Sequence, residues 1–240
     1  MVTEKRTVLI TGAGKGLGLE WARQDLASGA TVIATARDPG ASAGLRELRT
    51  TAGAAAGRLI VVKMDVTDDA SVEQAAREIA GRTAAIDDLI HNAGLFGPKD
   101  ATPLDGPPAE VRQVLEVNAI GPYRVTRRFL PLLRLGSRPR LLFITSRMGS
   151  IGDGPSGGCS AYRMSKSALN MLGANLATSL RSDGILCLLL HPGWVRTGMG
   201  GESAPLLPAD SVAGMRRVVA AARAEQSGSF IDFRGQTVPW

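Results

Sequence analysis

The chain has 240 residues, enough for a large core and well matched to one α/β domain. Its formal charge of +6 rests on scattered arginines such as Arg46, Arg77, Arg112, Arg127 and Arg217, with no basic run and no interleaved aromatics, which argues against a nucleic-acid partner. No apolar stretch reaches the length of a membrane span, and two cysteines, Cys159 and Cys187, make no disulfide framework, so a reducing cytoplasmic setting without a membrane partner is expected.

Residues 1–6 lead directly into an apolar run, with no signal-peptide core. Residues 7–11 read as the first strand. Thr11-Gly12-Ala13-Gly14-Lys15-Gly16-Leu17-Gly18 then turns into a helix over 17–28. Such a turn lets the backbone approach a pyrophosphate and offers it the open N–H groups of a helix N-terminus. A plain strand-to-helix turn is the simpler alternative, and a Walker loop is disfavoured because no Gly-Lys-Ser/Thr follows. The second strand, 31–36, ends in Arg37-Asp38-Pro39. Folds that take NAD usually carry an acidic residue at this strand end; here Arg37, with Lys15 within reach, suits a 2′-phosphate and hence NADP(H). Asp38 reads as a turn residue before Pro39.

Further along, a helix over 41–55, a strand over 58–64, a helix over 71–83 and a strand over 88–91 continue the alternation. The helical segment 108–135 contains Asn118, Gly121 and Pro122, which should disturb its middle, since proline removes a helix hydrogen bond. A strand over 140–146, a helix over 161–181, a strand over 185–191, a helix over 208–225 and a strand over 229–232 complete the pattern. Most strands are continuous apolar runs, as parallel strands covered on both faces require. The repeated β-α-β order predicts an α/β fold: a doubly wound parallel sheet of about seven strands with helices on both faces. Loops at about 95–107, 147–159 and 193–207 leave C-terminal strand ends, where open α/β sheets bind ligands.

Tyr162 and Lys166 lie four residues apart on one helix face. A fixed positive charge near a phenol favours the phenolate and lowers its pKa from about 10, which would make Tyr162 a proton donor and acceptor near neutral pH. Taken alone, the pair is a common spacing and reads more simply as a coincidence. His91 and His191 sit at strand ends without carboxylates or cysteines at ligand spacing, so packing is expected and no metal. Trp194, Met148 and Met199 lie on loops and either line an apolar pocket or pack a lid.

Together these residues resemble the short-chain dehydrogenase/reductase family. The glycine turn matches its T-G-x-x-x-G-x-G pattern, Asp65-Val66 the position that contacts adenine, and Asn92-Ala93-Gly94 its N-A-G motif. Asn118 matches the asparagine of the long fourth helix. Ser146, Tyr162 and Lys166 follow in order, then Pro192-Gly193 through Thr197, the P-G-x-x-x-T stretch that holds a nicotinamide carboxamide. Within the family, residues 162–170 and 192–200 and the pair Pro239-Trp240 are similar to the sniffer-type carbonyl reductases and the bacterial C-factor group.

The resemblance implies one Rossmann domain over 1–240. It implies NADP(H) held by Gly12, Lys15, Gly16, Leu17, Gly18, Arg37, Asp65, Val66, Asn92, Ala93, Gly94, Pro192, Gly193, Val195 and Thr197, with Tyr162 and Lys166. The implied reaction is reversible hydride transfer to a small carbonyl or from an alcohol. Tyr162 would donate the proton, Lys166 would tune the phenol and anchor the ribose, and Ser146 would hydrogen-bond the substrate oxygen. Asn118 would hold a water linking Lys166 to solvent. Ser146 and Tyr162 are further apart than the family usually has them, with extra residues at 152–158, so Ser150 is a rival. Ser146 is preferred because Thr145-Ser146-Arg147-Met148-Gly149 keeps the serine at the strand end. A nucleotide-binding signalling protein of C-factor type, with little turnover, is the reading from another class. Family members commonly form homodimers or homotetramers, and monomers occur.

Overall fold

The computed structural model describes residues 6–99, 102–154 and 157–240; residues 100, 101, 155 and 156, within two of the predicted loops, lie outside the described residues. Seven parallel strands form one sheet: β1 (Thr7–Ile10), β2 (Thr31–Ala36), β3 (Leu59–Lys63), β4 (Asp88–His91), β5 (Arg140–Ile144), β6 (Leu186–His191) and β7 (Ser229–Asp232). Their order is β3-β2-β1-β4-β5-β6-β7. The chain therefore runs outward from β1 in one direction and from β4 in the other, which leaves a crevice at the C-terminal ends of β1 and β4.

The apolar strand runs explain the layers. Leu9, Leu141, Phe143, Cys187 and Leu189 point into one core, with Val125, Phe129 and Leu133 against them. Their neighbours Val8, Ile10, Leu142, Ile144, Leu188 and Leu190 point into the other, with Trp21, Leu26, Val212 and Met215. Successive side chains alternate across a strand, so only a strand apolar at every position can serve two cores. Each fully buried Phe or Leu contributes about 1.5–3 kcal/mol of burial.

Helices α1 (Gly16–Ala27), α2 (Ala43–Thr51), α3 (Asp69–Ala80), α4 (Pro108–Leu115), α5 (Gly121–Arg134), α6 (Ser160–Ser179) and α7 (Pro208–Ala221) fill the connections. Ser42 caps α2 through Leu45 N–H and Asp68 caps α3 through Ala70 N–H. The predicted 41–55 helix is shorter than expected, because Gly53–Arg58 winds into a 3₁₀ turn. The predicted 108–135 helix is not broken. Its middle, Glu116–Ile120, widens into one π-helical turn that ends where the Gly121 N–H bonds the Glu116 carbonyl. Pro122 lies just beyond, where the ladder lacks a donor.

Asp88 begins β4 and is buried between two arginines: Arg6 Nη2 lies 2.7 Å and Arg140 Nε 2.5 Å from its Oδ1. The arginines hold its carboxyl below the usual range against its burial. This cluster sits at the N-terminal end of the sheet, away from the crevice.

His91 packs as expected, stacked on Phe143 at 5.0 Å, with Nε2 2.8 Å from Thr126 Oγ1. Its Nδ1 is buried without a partner, and burial pushes its pKa down to about 3. The unfolded chain takes up this proton near pH 6.5 and the folded chain does not. Stability is therefore complete above pH 6.5 and falls as pH drops toward 3. His91 alone is expected to cost about 3 kcal/mol between pH 7 and 4. Urea unfolding across that range should show a smaller loss for His91→Gln than for the native chain.

Candidate active site

Six strand ends supply the site. After β1, the backbone of Gly12 takes φ +66°, and a Cβ there would lie 2.8 Å from Ala93 Cα, so the glycine turn and the Asn92-Ala93-Gly94 segment touch at the switch point. Thr11 joins them: its hydroxyl accepts from the N–H groups of Asn92 and Ala93, both at 3.0 Å. Asn92 Nδ2 answers by donating to the Thr11 and Gly12 carbonyls. Gly18 lies against the Asn92 amide, and Gly16 against the Thr197 methyl. Leu17, partly buried, packs on the core beneath α1. Lys15 is the N-cap of α1 and its side chain makes no cap bond, so it leaves the first N–H groups of the helix unbonded by the N-cap.

Beyond β2, Arg37 and Lys15 are exposed, and neither pairs with a described residue. Asp38 turns back to accept from Ala41 N–H at 3.0 Å, as expected of a turn residue. Ser42, which the sequence reading missed, donates to the Gly14 carbonyl at 2.7 Å and so ties α2 to the glycine turn. After β3, Asp65 accepts from the backbone and hydroxyl of Thr67, while Val66 is buried against Gly121.

Ser146 and Tyr162 come together: the Ser146 hydroxyl lies near enough to the phenol to favour its ionised form, and Ser146 Oγ accepts from Met148 N–H at 3.1 Å. Ser150, the rival, is engaged elsewhere, donating to the Trp240 carbonyl at 3.3 Å and accepting from Asp153 N–H at 3.0 Å. Its loop is further held by Gly152 N–H on the same Trp240 carbonyl. Gly152, the first of the extra residues, thus packs on Pro239 and Trp240, which spacing alone gave no means of seeing.

One expectation is corrected. The Tyr162 phenol is not lowered by these side chains. Burial pushes it up to about 12, with only the neighbouring Ser146 hydroxyl pulling the other way. Lys166 is buried too, and its own pKa is pushed down to about 8. Its Nζ stands 5.6 Å from the phenol ring centroid and donates to the Ile144 carbonyl at 2.9 Å. Two groups denied water each favour the neutral form, and this outweighs the attraction that the four-residue spacing suggested.

Asn118 is fully buried in the π turn. Its Oδ1 accepts from Leu95 N–H at 2.7 Å, and its Nδ2 donates to the Leu95 carbonyl at 2.8 Å and to Ser165 Oγ at 2.9 Å. Both amide protons are used, which leaves one Oδ1 lone pair of the side chain for a water. Gly94 lies between Asn118 and Lys166. After β6, Pro192 is fixed by Ser211 on its carbonyl, and Gly193 turns with φ +83° between Leu206 and Phe233. Val195 is buried in a bridge to Leu206, and Thr197 accepts from Gly200 N–H at 3.1 Å. His191 Nδ1 accepts from Arg147 N–H at 3.3 Å, a packing role beside Ser146. No group of metal-ligating side chains occurs among the described residues.

A crevice at the switch point of a doubly wound sheet, floored by a glycine turn and flanked by a neighbouring serine–tyrosine pair with a lysine one turn on, defines a dinucleotide-dependent oxidoreductase of short chain type. The family model for short chain dehydrogenases matches residues 6–206, and the chain belongs to that family. It is similar to the NADPH-bound carbonyl reductase from chicken fatty liver, at 33% identity and TM-score 0.92 over 99% of this chain and 100% of the other. It is also similar to the carbonyl reductase Sniffer of D. melanogaster, at 29% identity and TM-score 0.91 over the same shares. The C-signal protein of Myxococcus xanthus is 48% identical over 158 residues, which are 66% of this chain and 95% of the relative.

Proposed function

We propose that this short chain oxidoreductase reduces a ketone or aldehyde with NADPH, and oxidises the corresponding alcohol in reverse. The observation that carries the reading is the Ser146 hydroxyl placed beside the buried Tyr162 phenol at the crevice, with Lys166 on the same helix face as Tyr162. Tyr162 gives its proton to the carbonyl oxygen as charge develops there, and Ser146 hydrogen-bonds that oxygen. A phenol held near 12 stays protonated at neutral pH, which favours the reducing direction. Lys166, with a pKa near 8, is mostly charged at neutral pH and orients both the phenol and the ribose.

The residues fit a dinucleotide. When bound, NADPH supplies the hydride. Gly12, Gly16, Leu17, Gly18 and the open α1 terminus would hold its pyrophosphate; Asp65 and Val66 its adenine; Asn92, Ala93 and Gly94 its ribose side. Pro192, Gly193, Val195 and Thr197 would hold the carboxamide. Arg37 and Lys15 would take the 2′-phosphate, which agrees with their exposure and with Asp38 being turned away. Removing both cations, Arg37→Ala with Lys15→Ala, is expected to raise the KM for NADPH about 10- to 100-fold and leave that for NADH nearly unchanged, since a charge-assisted hydrogen bond contributes about 1.5–3 kcal/mol. Native preference for NADH would overturn this assignment.

The likeness to C-signal supports a second reading, a nucleotide-binding signalling protein. NADPH consumption with a panel of ketones, aldehydes and quinones separates the two. Turnover supports the reductase; tight NADPH binding with no turnover on any of them supports the signal.

A further inference from the structure

Phe96 was not among the residues the sequence singled out, yet its ring stacks on the Tyr162 ring, with centroids 4.4 Å apart and planes 18° apart. The contact is built rather than incidental. Leu95, just before it, has both backbone groups held by the buried Asn118 amide. Gly97, just after it, takes φ +75°, and a Cβ there would lie 2.6 Å from Val114 Cγ2, so the chain turns over α4 in a way that only glycine allows. Two residues further on, the Lys99 carbonyl accepts the Cys159 thiol at 3.1 Å, which ties this loop to the start of α6, the helix that carries Tyr162.

We propose that Phe96 is a positioning residue for Tyr162: clamped through Leu95 by Asn118, its ring fixes the plane of the phenol and keeps water from one side of it. The inference rests on the reductase reading for its consequence and on geometry for its existence. It also gives the buried asparagine a second task, since its amide reaches the phenol through Leu95 and Phe96 as well as lying beside Lys166. Among the described residues, the charged groups around the stacked rings are Lys166, 5.6 Å from the Tyr162 centroid, and Lys99, 5.8 Å from that of Phe96, and no carboxylate bears on the phenol. With the cover removed, water reaches the ring and the ionised phenol becomes less costly.

The chain has only two tyrosines, which makes this measurable without turnover. In a Tyr123→Phe background the tyrosinate absorbance reports Tyr162 alone. Phe96→Ala is expected to lower the titration midpoint by about one pH unit or more. It should also reduce kcat about tenfold, with little change in the KM for NADPH, and Phe96→Tyr should restore the rate. If the alanine variant loses its helical signal, Phe96→Leu, which keeps the volume without the ring, is titrated instead. An unchanged midpoint overturns the proposal even if the rate falls. Failure of the reductase reading would show separately, as turnover that survives Tyr162→Phe while the midpoint still responds to Phe96.

Discussion

Tyr162→Phe should reduce kcat by 10²- to 10⁴-fold while the Kd for NADPH stays within about twofold, because the variant deletes one proton donor and little volume. The ring still stacks on Phe96, so the local packing survives. What goes is the hydroxyl that faces Ser146, and with it the only phenol proton at the crevice, since Tyr123 lies on α5 and is exposed. Ser146→Ala should cost less, as Tyr162 retains its proton. Stopped-flow hydride transfer and fluorescence titration of NADPH read the two quantities independently. Retention of most activity by Tyr162→Phe would remove the mechanism altogether.

The second large effect lies at the opposite end of the sheet. Asp88→Ala is expected to lower the unfolding free energy by about 3–5 kcal/mol, since it removes the buried carboxylate that Arg6 and Arg140 share. Arg6 Nη2 also reaches the Asp87 and Arg138 carbonyls, so the cluster fastens the starts of β1, β4 and β5 together. In a domain of this size the loss corresponds to a fall in Tm on the order of 10 °C. The folded fraction should keep its kcat, because the cluster sits away from the strand ends that form the crevice. Equilibrium urea unfolding checks the first statement and active-site-normalised kinetics the second.

Much of this architecture was legible in the sequence because parallel strands buried on both faces leave long apolar runs, as in Leu186–His191 and Arg140–Ile144. Asn118, Gly121 and Pro122 also marked the right place for a helix disturbance, although not its form. A π turn saves the hydrogen-bond ladder where a break would abandon it, and that choice depends on Asn118 finding Leu95 across the crevice. Ser146 and Ser150 differed in sequence only by spacing; their hydroxyl partners separate them in space. The phenol pKa was misjudged because a four-residue spacing reveals a neighbouring charge but not how dry both groups are. Phe96 left no signal, and Trp240 none of its contact with Ser150, since each meets its partner from a segment distant along the chain.

The π turn also sets the reading frame of the helix around it. Each residue of an α-helix advances about 100° around the axis. Glu116–Ile120 is in effect a one-residue insertion that keeps two faces in phase: Asn118 toward Leu95 on one side, and Val125, Phe129 and Leu133 toward the sheet on the other. Deleting a single residue here, such as Val117, would restore a regular helix at the cost of rotating one face about a quarter turn against the other. Either the crevice or the core would then be out of step, so a one-codon deletion at this point should be far more damaging than most substitutions of the same residue.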